Sequence, residues 1–257
     1  MSSYRQWIER ASKKRGTDIV LALDLETETS KELLSRGSAL IEKLEPYICA
    51  VKVNFQLLLP LGLDKVRELL NLSHNLDLPA IMDCKLSDVG HMNRVIASNY
   101  FGAGFDAMIV SPLIGWEEGV KPVSELASSM GKGVLLLVYM SHKGAVEGFE
   151  RVVIDSEDRG REPQYHLFAR KAREWNADGV IVGATYPDKV KQVSTILGGK
   201  TPIYSPGIGT QGGSVESALG AGSRYLIVGR TLTSVESPEK EAEGLVEHCR
   251  RAARLQT

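Results

Sequence analysis

The chain has little of what most often betrays a function. Its three cysteines, Cys49, Cys84 and Cys249, are an odd set with no CxxC spacing. They argue against a disulfide framework and read as reduced, mostly buried thiols. Five histidines, His74, His91, His142, His166 and His248, form no HxH or HExxH pattern, so no structural zinc site is suggested. Neither sign of charge is in excess. Thirty-one Lys and Arg against 32 Asp and Glu leave a formal net charge of −1, which lends no support to a nucleic-acid-binding surface. No apolar run approaches the ~20 residues that span a bilayer. The first residues, "MSSYRQWIERASKKRGTD", lack the apolar core of a signal peptide. A cytoplasmic protein with no membrane partner is the default expectation. No cofactor motif is visible.

What is present is ordinary in amount and ordered in arrangement. A hydrophobic fraction of 43% and a charged fraction of 25% are those of a soluble globular protein. Apolar runs recur at 19–25 ("IVLALDL"), 49–55 ("CAVKVNF"), 80–86 ("AIMDCKL"), 107–113 ("AMIVSPL"), 134–140 ("VLLLVYM"), 179–185 ("GVIVGAT"), 202–208 ("PIYSPGI") and 225–230 ("YLIVGR"). Several are apolar almost throughout, as strands buried on both faces are. Between them lie segments of helical period, such as "SKELLSRGSALIEKLEP" with Leu33, Leu34, Leu40, Ile41 and Leu44 on one side. "DKVRELLNLSHNL", "NRVIASNYFGAG", "VKPVSELASSMG", "YHLFARKAREWNA", "DKVKQVSTILG" and "GSVESALGAG" behave alike. The alternation predicts an α/β fold, a (β/α)8 TIM barrel formed as a single domain over residues 1–257, with an extra N-terminal helix over 1–17 near its bottom. A doubly wound open sheet is the alternative, but eight units in roughly 210 residues suit closure better. One connection is long: residues 141–165 follow the fifth strand, and their run "DSEDRGREP" is polar enough to be expected in solvent.

Active sites of such barrels lie at the C-terminal strand ends. There the odd polar residues fall. Asp24 is near the end of the first strand, Lys52 lies inside the second, and Asp83 and Lys85 end the third, with Asp88 in the loop beyond. Alternation along a strand turns residues 83 and 85 to the same side. Against the helices an unpaired acid and base would be costly, whereas at the interior mouth they can pair with each other and with Lys52 and Asp24. A salt-bridged plug would explain one such pair but not four or five charges converging on one rim, and buried ion pairs are weak stabilisers. A Lys–Asp–Lys–Asp array keeps every member ionised and holds a fixed field. Ser141 enters the same rim. After the seventh and eighth strands come "SPGIGTQGG" (205–213) and "IVGR" (227–230), where barrels of this kind often hold a phosphate. Glycines let backbone N–H groups approach an anion, Gln211 can donate an amide hydrogen, and Arg230 can offer a charge-assisted fork.

In these residues the chain resembles the orotidine 5′-monophosphate decarboxylase family. The motif Asp-x-Lys-x-x-Asp is "DCKLSD" (Asp83, Lys85, Asp88), preceded by Lys52 in "VKVN" and Asp24 in "LALD". "MSHKGA", with Ser141, resembles the family's loop after the fifth strand, and "SPGIGTQGG" with "VGR" its phosphate grip. The likeness covers nearly the whole chain. It implies decarboxylation of orotidine 5′-monophosphate to UMP in pyrimidine biosynthesis, with no cofactor and no metal. Lys52, Asp83, Lys85 and Asp88 would be catalytic, Lys85 as proton donor. Asp24 and Lys52 would meet the ribose, Ser141 the pyrimidine edge, and Gln211, Gly229 and Arg230 the phosphate. Pro206, Val89 and Met140 are candidates for a wall beside the base, with plain barrel packing as the alternative. The resemblance further implies a homodimer in which Asp88 crosses into the partner's site. Met92 departs from the family, which often has a threonine there that reaches a neighbouring subunit's ribose; Asn93 or His91 would have to compensate.

Two other activities share parts of this pattern. Sugar-phosphate relatives that share Asp-x-Lys-x-x-Asp, 3-keto-gulonate-6-phosphate decarboxylase and hexulose-6-phosphate synthase, bind magnesium through an acidic residue ending the second strand. Lys52 on that strand would repel the metal. A non-catalytic nucleotide-binding barrel would be expected to lose Lys85 or Asp83 and keep Arg230, and here all three are present.

Overall fold

The computed structural model describes residues 3–26, 29–154 and 160–254. Its strands are β1 (Ile19–Ala22), β2 (Ala50–Asn54), β3 (Ala80–Leu86), β4 (Ala107–Val110), β5 (Gly133–Tyr139), β6 (Val152–Ile154), β7 (Arg161–Pro163), β8 (Gly179–Val182), β9 (Ile203–Pro206) and β10 (Tyr225–Val228). All but β6 and β7 run parallel and close into a barrel in the order β1-β10-β9-β8-β5-β4-β3-β2. The helices are α1 (Tyr4–Arg15), α2 (Ser30–Leu44), α3 (Phe55–Asn75), α4 (Gly90–Ala103), α5 (Lys121–Ser129), α6 (Ala145–Phe149), α7 (Gln164–Glu174), α8 (Pro187–Leu197), α9 (Val215–Gly220), α10 (Arg230–Thr233) and α11 (Pro238–Arg254). This is the (β/α)8 barrel that the alternation of the sequence predicts.

The apolar strands read as continuous because both faces are buried. Val20 and Ala22 belong to an inner cluster with Ala50, Ile81, Ala107, Leu135, Ile181 and Ile227. Leu21 between them belongs to the outer layer with Val51, Met82, Met108, Leu136 and Val228, which the helices cover. The period of two sorts alternate residues into two cores.

The bottom of the barrel is closed by α1, the extra N-terminal helix. Ser3 and Gln6 form its capping box. Tyr4 and Ile8, each 1% exposed, and Ala11 join the inner cluster as its floor. The Tyr4 hydroxyl meets that of Tyr204 at 3.1 Å. Its ring lies where a Cβ on Gly133 would sit, 2.4 Å from Cδ1, so β5 must begin with glycine for the floor to seat.

Several elements differ from the sequence expectation. β1, β4 and β8 end about three residues early, because the chain leaves the ladder to build the rim; the Asp24 N–H already turns back to Ala22 O at 2.9 Å. Helix α3 starts at Phe55 rather than near residue 64, capped by Asn54 and kinked at Gly62 (φ 72°). The terminal helix α11, not singled out from the sequence, packs Ala242, Leu245 and Val246 into the outer core.

The long connection is not a plain loop. It carries α6 and an antiparallel ribbon in which Val152 faces Pro163 and Ile154 faces Arg161. Phe149 anchors it against the Tyr139 ring at 5.5 Å, and the Tyr139 hydroxyl donates to Glu150 Oε1 at 2.6 Å. Glu162, inside the polar run expected in solvent, pairs instead with Arg170 on α7. Residues 155–159 of that run lie outside the described residues. Among the described residues no helix is long and apolar enough to cross a membrane.

Candidate active site

The inner positions of the strands are apolar low in the barrel and polar at its top. Val20 and Ala22 are followed by Asp24, Ala50 by Lys52 and Asn54, and Ile81 by Asp83 and Lys85. Together they open a cavity of about 380 Å³ at the C-terminal strand ends. Its floor is Ala22, Ile109, Leu137, Ile181 and Ile227. Asp24, Lys52, Asp83, Lys85, Ser141, Pro206, Gln211, Gly229 and Arg230, all singled out from the sequence, line its walls.

The charges are arranged around one carboxylate. Asp83 Oδ2 accepts from Lys52 Nζ at 2.7 Å and Asp83 Oδ1 from Lys85 Nζ at 2.6 Å. Burial works against the Lys52 ammonium, but the Asp83 and Asp24 carboxylates outweigh it and hold its pKa above the usual value. Burial likewise opposes the Asp83 anion, and the two ammoniums overcome it, so Asp83 titrates below the ordinary range. Lys52 is 5% exposed and locked, whereas the Lys85 side chain is 40% exposed and open to the cavity.

Lys85 also departs from strand geometry. β3 pairs with β4 at Met82↔Met108 and next at Leu86↔Val110, so four steps on one strand match two on the other. The bulge puts Lys85 at φ 47°, in the left-handed region that a side chain seldom adopts. A bulge of this kind re-aims a side chain, at a cost in backbone strain of about 1–3 kcal/mol.

Among the described residues Asp24 makes no direct ion pair with Lys52 and reaches that ammonium through its charge alone. The direct chain is Lys52–Asp83–Lys85. Asp24 Oδ1 instead accepts from Asn54 Nδ2 at 2.7 Å, and Gly229 backs Oδ2 so closely that a Cβ there would sit 2.3 Å away. Asp88 is exposed and outside the cavity of its own chain. Its carboxylate accepts from the Val89 N–H at 2.7 Å. Asn93 does not replace the missing threonine: it is fully buried, and its amide bonds the Asp88 backbone and Gly119 O. Val89, 64% exposed, does not wall the cavity, while Met140 and Pro206 do.

The Gly-rich loop closes the other end. Gly207 (φ 98°) turns it, and Gly209 (φ 72°) lets Thr231 come within 2.5 Å of where a Cβ would be. Thr231 Oγ1 donates to Ile208 O at 3.2 Å and accepts from the Thr210 N–H, so the loop is tied to the start of α10. Ser141 Cβ and Gln211 Oε1 both stand over Gly207, at 3.2 and 3.1 Å from its Cβ position. Arg230 is exposed, lines the cavity and has no ion-pair partner among the described residues.

Asn54 and Thr231 escaped the sequence reading. Asn54 was available to it, being two residues beyond Lys52 on the same face. Thr231 had no signal, because its partner lies 23 residues away. Among the described residues no three His, Cys, Asp or Glu side chains converge as metal ligands would.

A closed barrel with its polar centre at the C-terminal strand ends is of the enzyme type of (β/α)8 barrel. Within that class the chain belongs to the Orotidine 5′-phosphate decarboxylase / HUMPS family, whose model matches residues 17–245. It is 34% identical over 229 residues to the orotidine 5′-phosphate decarboxylase of Methanosarcina mazei, covering 89% of this chain and 93% of that one. The crystal structure of orotidine 5′-phosphate decarboxylase from Pyrococcus horikoshii OT3 superposes with a TM-score of 0.73 at 32% identity, over 90% of this chain and 99% of the other. That of the Methanocaldococcus jannaschii enzyme complexed with the inhibitor BMP gives 0.76 at 26% identity, over 91% and 98%.

Proposed function

We propose that residues 1–257 work as one barrel domain that decarboxylates orotidine 5′-monophosphate to UMP, in the cytoplasm and as a step of pyrimidine biosynthesis, with neither metal nor organic cofactor. The observation that carries this reading is Asp83 held between Lys52 and Lys85 in the same cavity as the unpaired Arg230. The family and the named relatives support the coarse activity; the roles of the residues are those that the family resemblance implies, and the geometry is compatible with them.

Breaking the C6–carboxylate bond releases carbon dioxide and leaves its electron pair on C6, in the ring plane and without a conjugated sink. A fixed positive charge beside that carbon is then the available stabiliser. Lys85 supplies it. Its ammonium is aimed by Asp83, exposed to the cavity, and able to give C6 the proton that completes UMP; the amine regains a proton from water. Lys52 holds the second oxygen of Asp83, so the carboxylate cannot swing away. Asp83 also stands near the substrate carboxylate. Asp24 and Lys52 receive the ribose hydroxyls, Ser141 the pyrimidine edge, and Pro206 flanks the base. Gln211, Gly229 and Arg230 take the phosphate. Binding energy from that remote group, expressed through the meeting of the Ser141 and Gln211 loops, supports the transition state.

The magnesium-using branch of the family is disfavoured by residue chemistry. The acid it needs on the second strand is replaced by Lys52, and the strand ends in neutral Asn54. A homodimer is part of the reading. Phe55 and Leu59 on α3 and Val89, Met92 and Val95 at α4 leave apolar surface exposed next to Asp88. A second copy covering it would carry Asp88 into the neighbouring cavity. Mixing Lys85→Ala chains with Asp88→Asn chains should then restore about a quarter of wild-type activity through one intact shared site.

The test of the reaction is turnover of orotidine 5′-monophosphate in excess EDTA, beside a Lys85→Ala control. Activity that survives EDTA and disappears in the variant supports the reading. A folded wild-type protein without turnover overturns it.

A further inference from the structure

We infer that Asn54 is a positioning residue for Asp24, holding that carboxylate through a hydrogen bond while its other end caps α3. The inference rests on the reading of the site given above and adds to it a residue to which that reading gives no role.

Both ends of the Asn54 amide are occupied. Oδ1 accepts from the Leu57 N–H at 3.1 Å, as the N-cap of α3, and Nδ2 donates to Asp24 Oδ1 at 2.7 Å. The two contacts orient the amide uniquely, since a flipped group would set oxygen against carboxylate and NH2 against N–H. Asp24 needs such a holder. It stands past the last ladder position of β1, and no ion pair reaches it among the described residues. Gly229 blocks it on the side of Oδ2, where a Cβ would lie 2.3 Å away. Wedged between the amide and the Gly229 backbone, Asp24 has one orientation, with its charge directed toward Lys52 and the cavity. The pairing of Asn54 with Asp83 across β2 and β3 sets the amide at the height of the reacting charges. The same amide also links the seat of Asp24 to the first turn of α3, which bears the exposed Phe55 and Leu59.

Asn54→Asp separates positioning from helix capping. Aspartate caps a helix as well as asparagine, but it replaces the donor facing Asp24 by a second carboxylate. At about pH 8 the two acids repel, and kcat/KM should fall roughly tenfold or more. Two facing carboxylates share a proton with a raised apparent pKa. Toward about pH 5.5 the introduced carboxyl therefore becomes a donor again, and the ratio of variant to wild-type kcat/KM should climb by at least about threefold. The charged or titratable groups facing the pair are Lys52, Asp83, Lys85, Glu26, His142 and Arg230. All are common to both proteins, so the ratio cancels them. Asn54→Ser keeps a cap but cannot reach Asp24; it should lose a similar factor with no recovery on acidification. Thermal melting of both variants close to wild type would accompany this result. An Asn54→Asp protein as active as wild type at pH 8, or a ratio that stays flat with pH, overturns the inference and leaves the proposed reaction standing. A wild-type protein that does not decarboxylate the nucleotide overturns that reaction, and the inference with it.

Discussion

Carboxylates stand at both rims of the barrel, and the two rims use them differently. At the N-terminal rim Asp106, 2% exposed, accepts from the Ala80 N–H at 2.9 Å, from Lys132 at 2.7 Å, and contacts His74 Nε2 at 2.9 Å. Asp178 accepts from the Val134 N–H at 2.9 Å and pairs with Arg5. Each ties a strand to its neighbour or to a helix, and the hollow that Lys132 and Asp178 line beside α5 holds no cation without an acid partner among its described lining residues. At the C-terminal rim Asp83 also has strong partners, but one of them, Lys85, is exposed to a cavity, and Arg230 there has none. The lesson is that a buried acid by itself says little. What marks the upper rim is that its charge network lines the inner mouth of the barrel together with Arg230, a cation that has no ion-pair partner among the described residues.

The largest break of this contrast should come from Lys85→Ala. Loss of the charge and of the proton donor together should cost about four orders of magnitude or more in kcat. The melting temperature should hardly move, because the side chain is 40% exposed. Steady-state kinetics and a thermal melt on one preparation check both halves. Asp106→Ala is the mirror experiment. It strands Lys132 and the Ala80 N–H at the bottom, and should lower unfolding free energy in urea by about 3 kcal/mol while kcat/KM of the folded protein stays near wild type. Arg230→Ala should reduce kcat/KM roughly a hundredfold or more with stability unchanged, since the guanidinium has no ion-pair partner among the described residues. Near-normal kcat/KM on the full nucleotide would remove Arg230 from the phosphate site.

The smallest effect sharpens the comparison through pH. Burial acts on both acids, but at Asp83 two ammoniums overcome it and the pKa falls, whereas at Asp178 the Val134 N–H and Arg5 do not, and the pKa rises. A carboxyl with a lowered folded pKa contributes stability above its unfolded value and loses it as pH drops through the folded one. A raised pKa has the opposite sign: its contribution is fullest at low pH and declines as pH climbs toward neutrality. Urea unfolding of wild type, Asp83→Asn and Asp178→Asn between about pH 7 and about pH 3 should show the first gap closing on acidification. The second should move in wild type's favour over the same range. Parallel pH curves for the two variants would mean that the rims do not differ in this way.

Much of the site was legible because alternation along one strand puts residues 83 and 85 on the same side, and the cavity contains both together with Lys52. The Gly-rich loop and Arg230 were legible because glycines mark a turn and a Gly-Arg follows the next strand, where such barrels often hold a phosphate. Illegible were features that depend on partners distant in the chain. Asp24 was expected on Lys52 but is bonded to Asn54. Val89, a candidate for the wall or for plain packing, is 64% exposed and lies outside the cavity lining. The long connection at 141–165, with a polar run expected in solvent, gave no sign of α6 and the ribbon, which the Tyr139–Phe149–Phe168 packing anchors across residues far apart in sequence.

The sequence by itself determined the eightfold alternation, the two-sided burial of the strands, and which charged residues stand at their C-terminal ends. These follow from local periods of 2 and 3.6 and from the cost of burying unpaired charge. Only the tertiary structure decided that Asp83 takes one lysine on each oxygen, that a bulge against β4 aims Lys85, and that Asp24 is wedged between Asn54 and Gly229. Those depend on closing the barrel in one register, and hydrogen bonds a few ångströms long are set by that register, not by spacing along the chain.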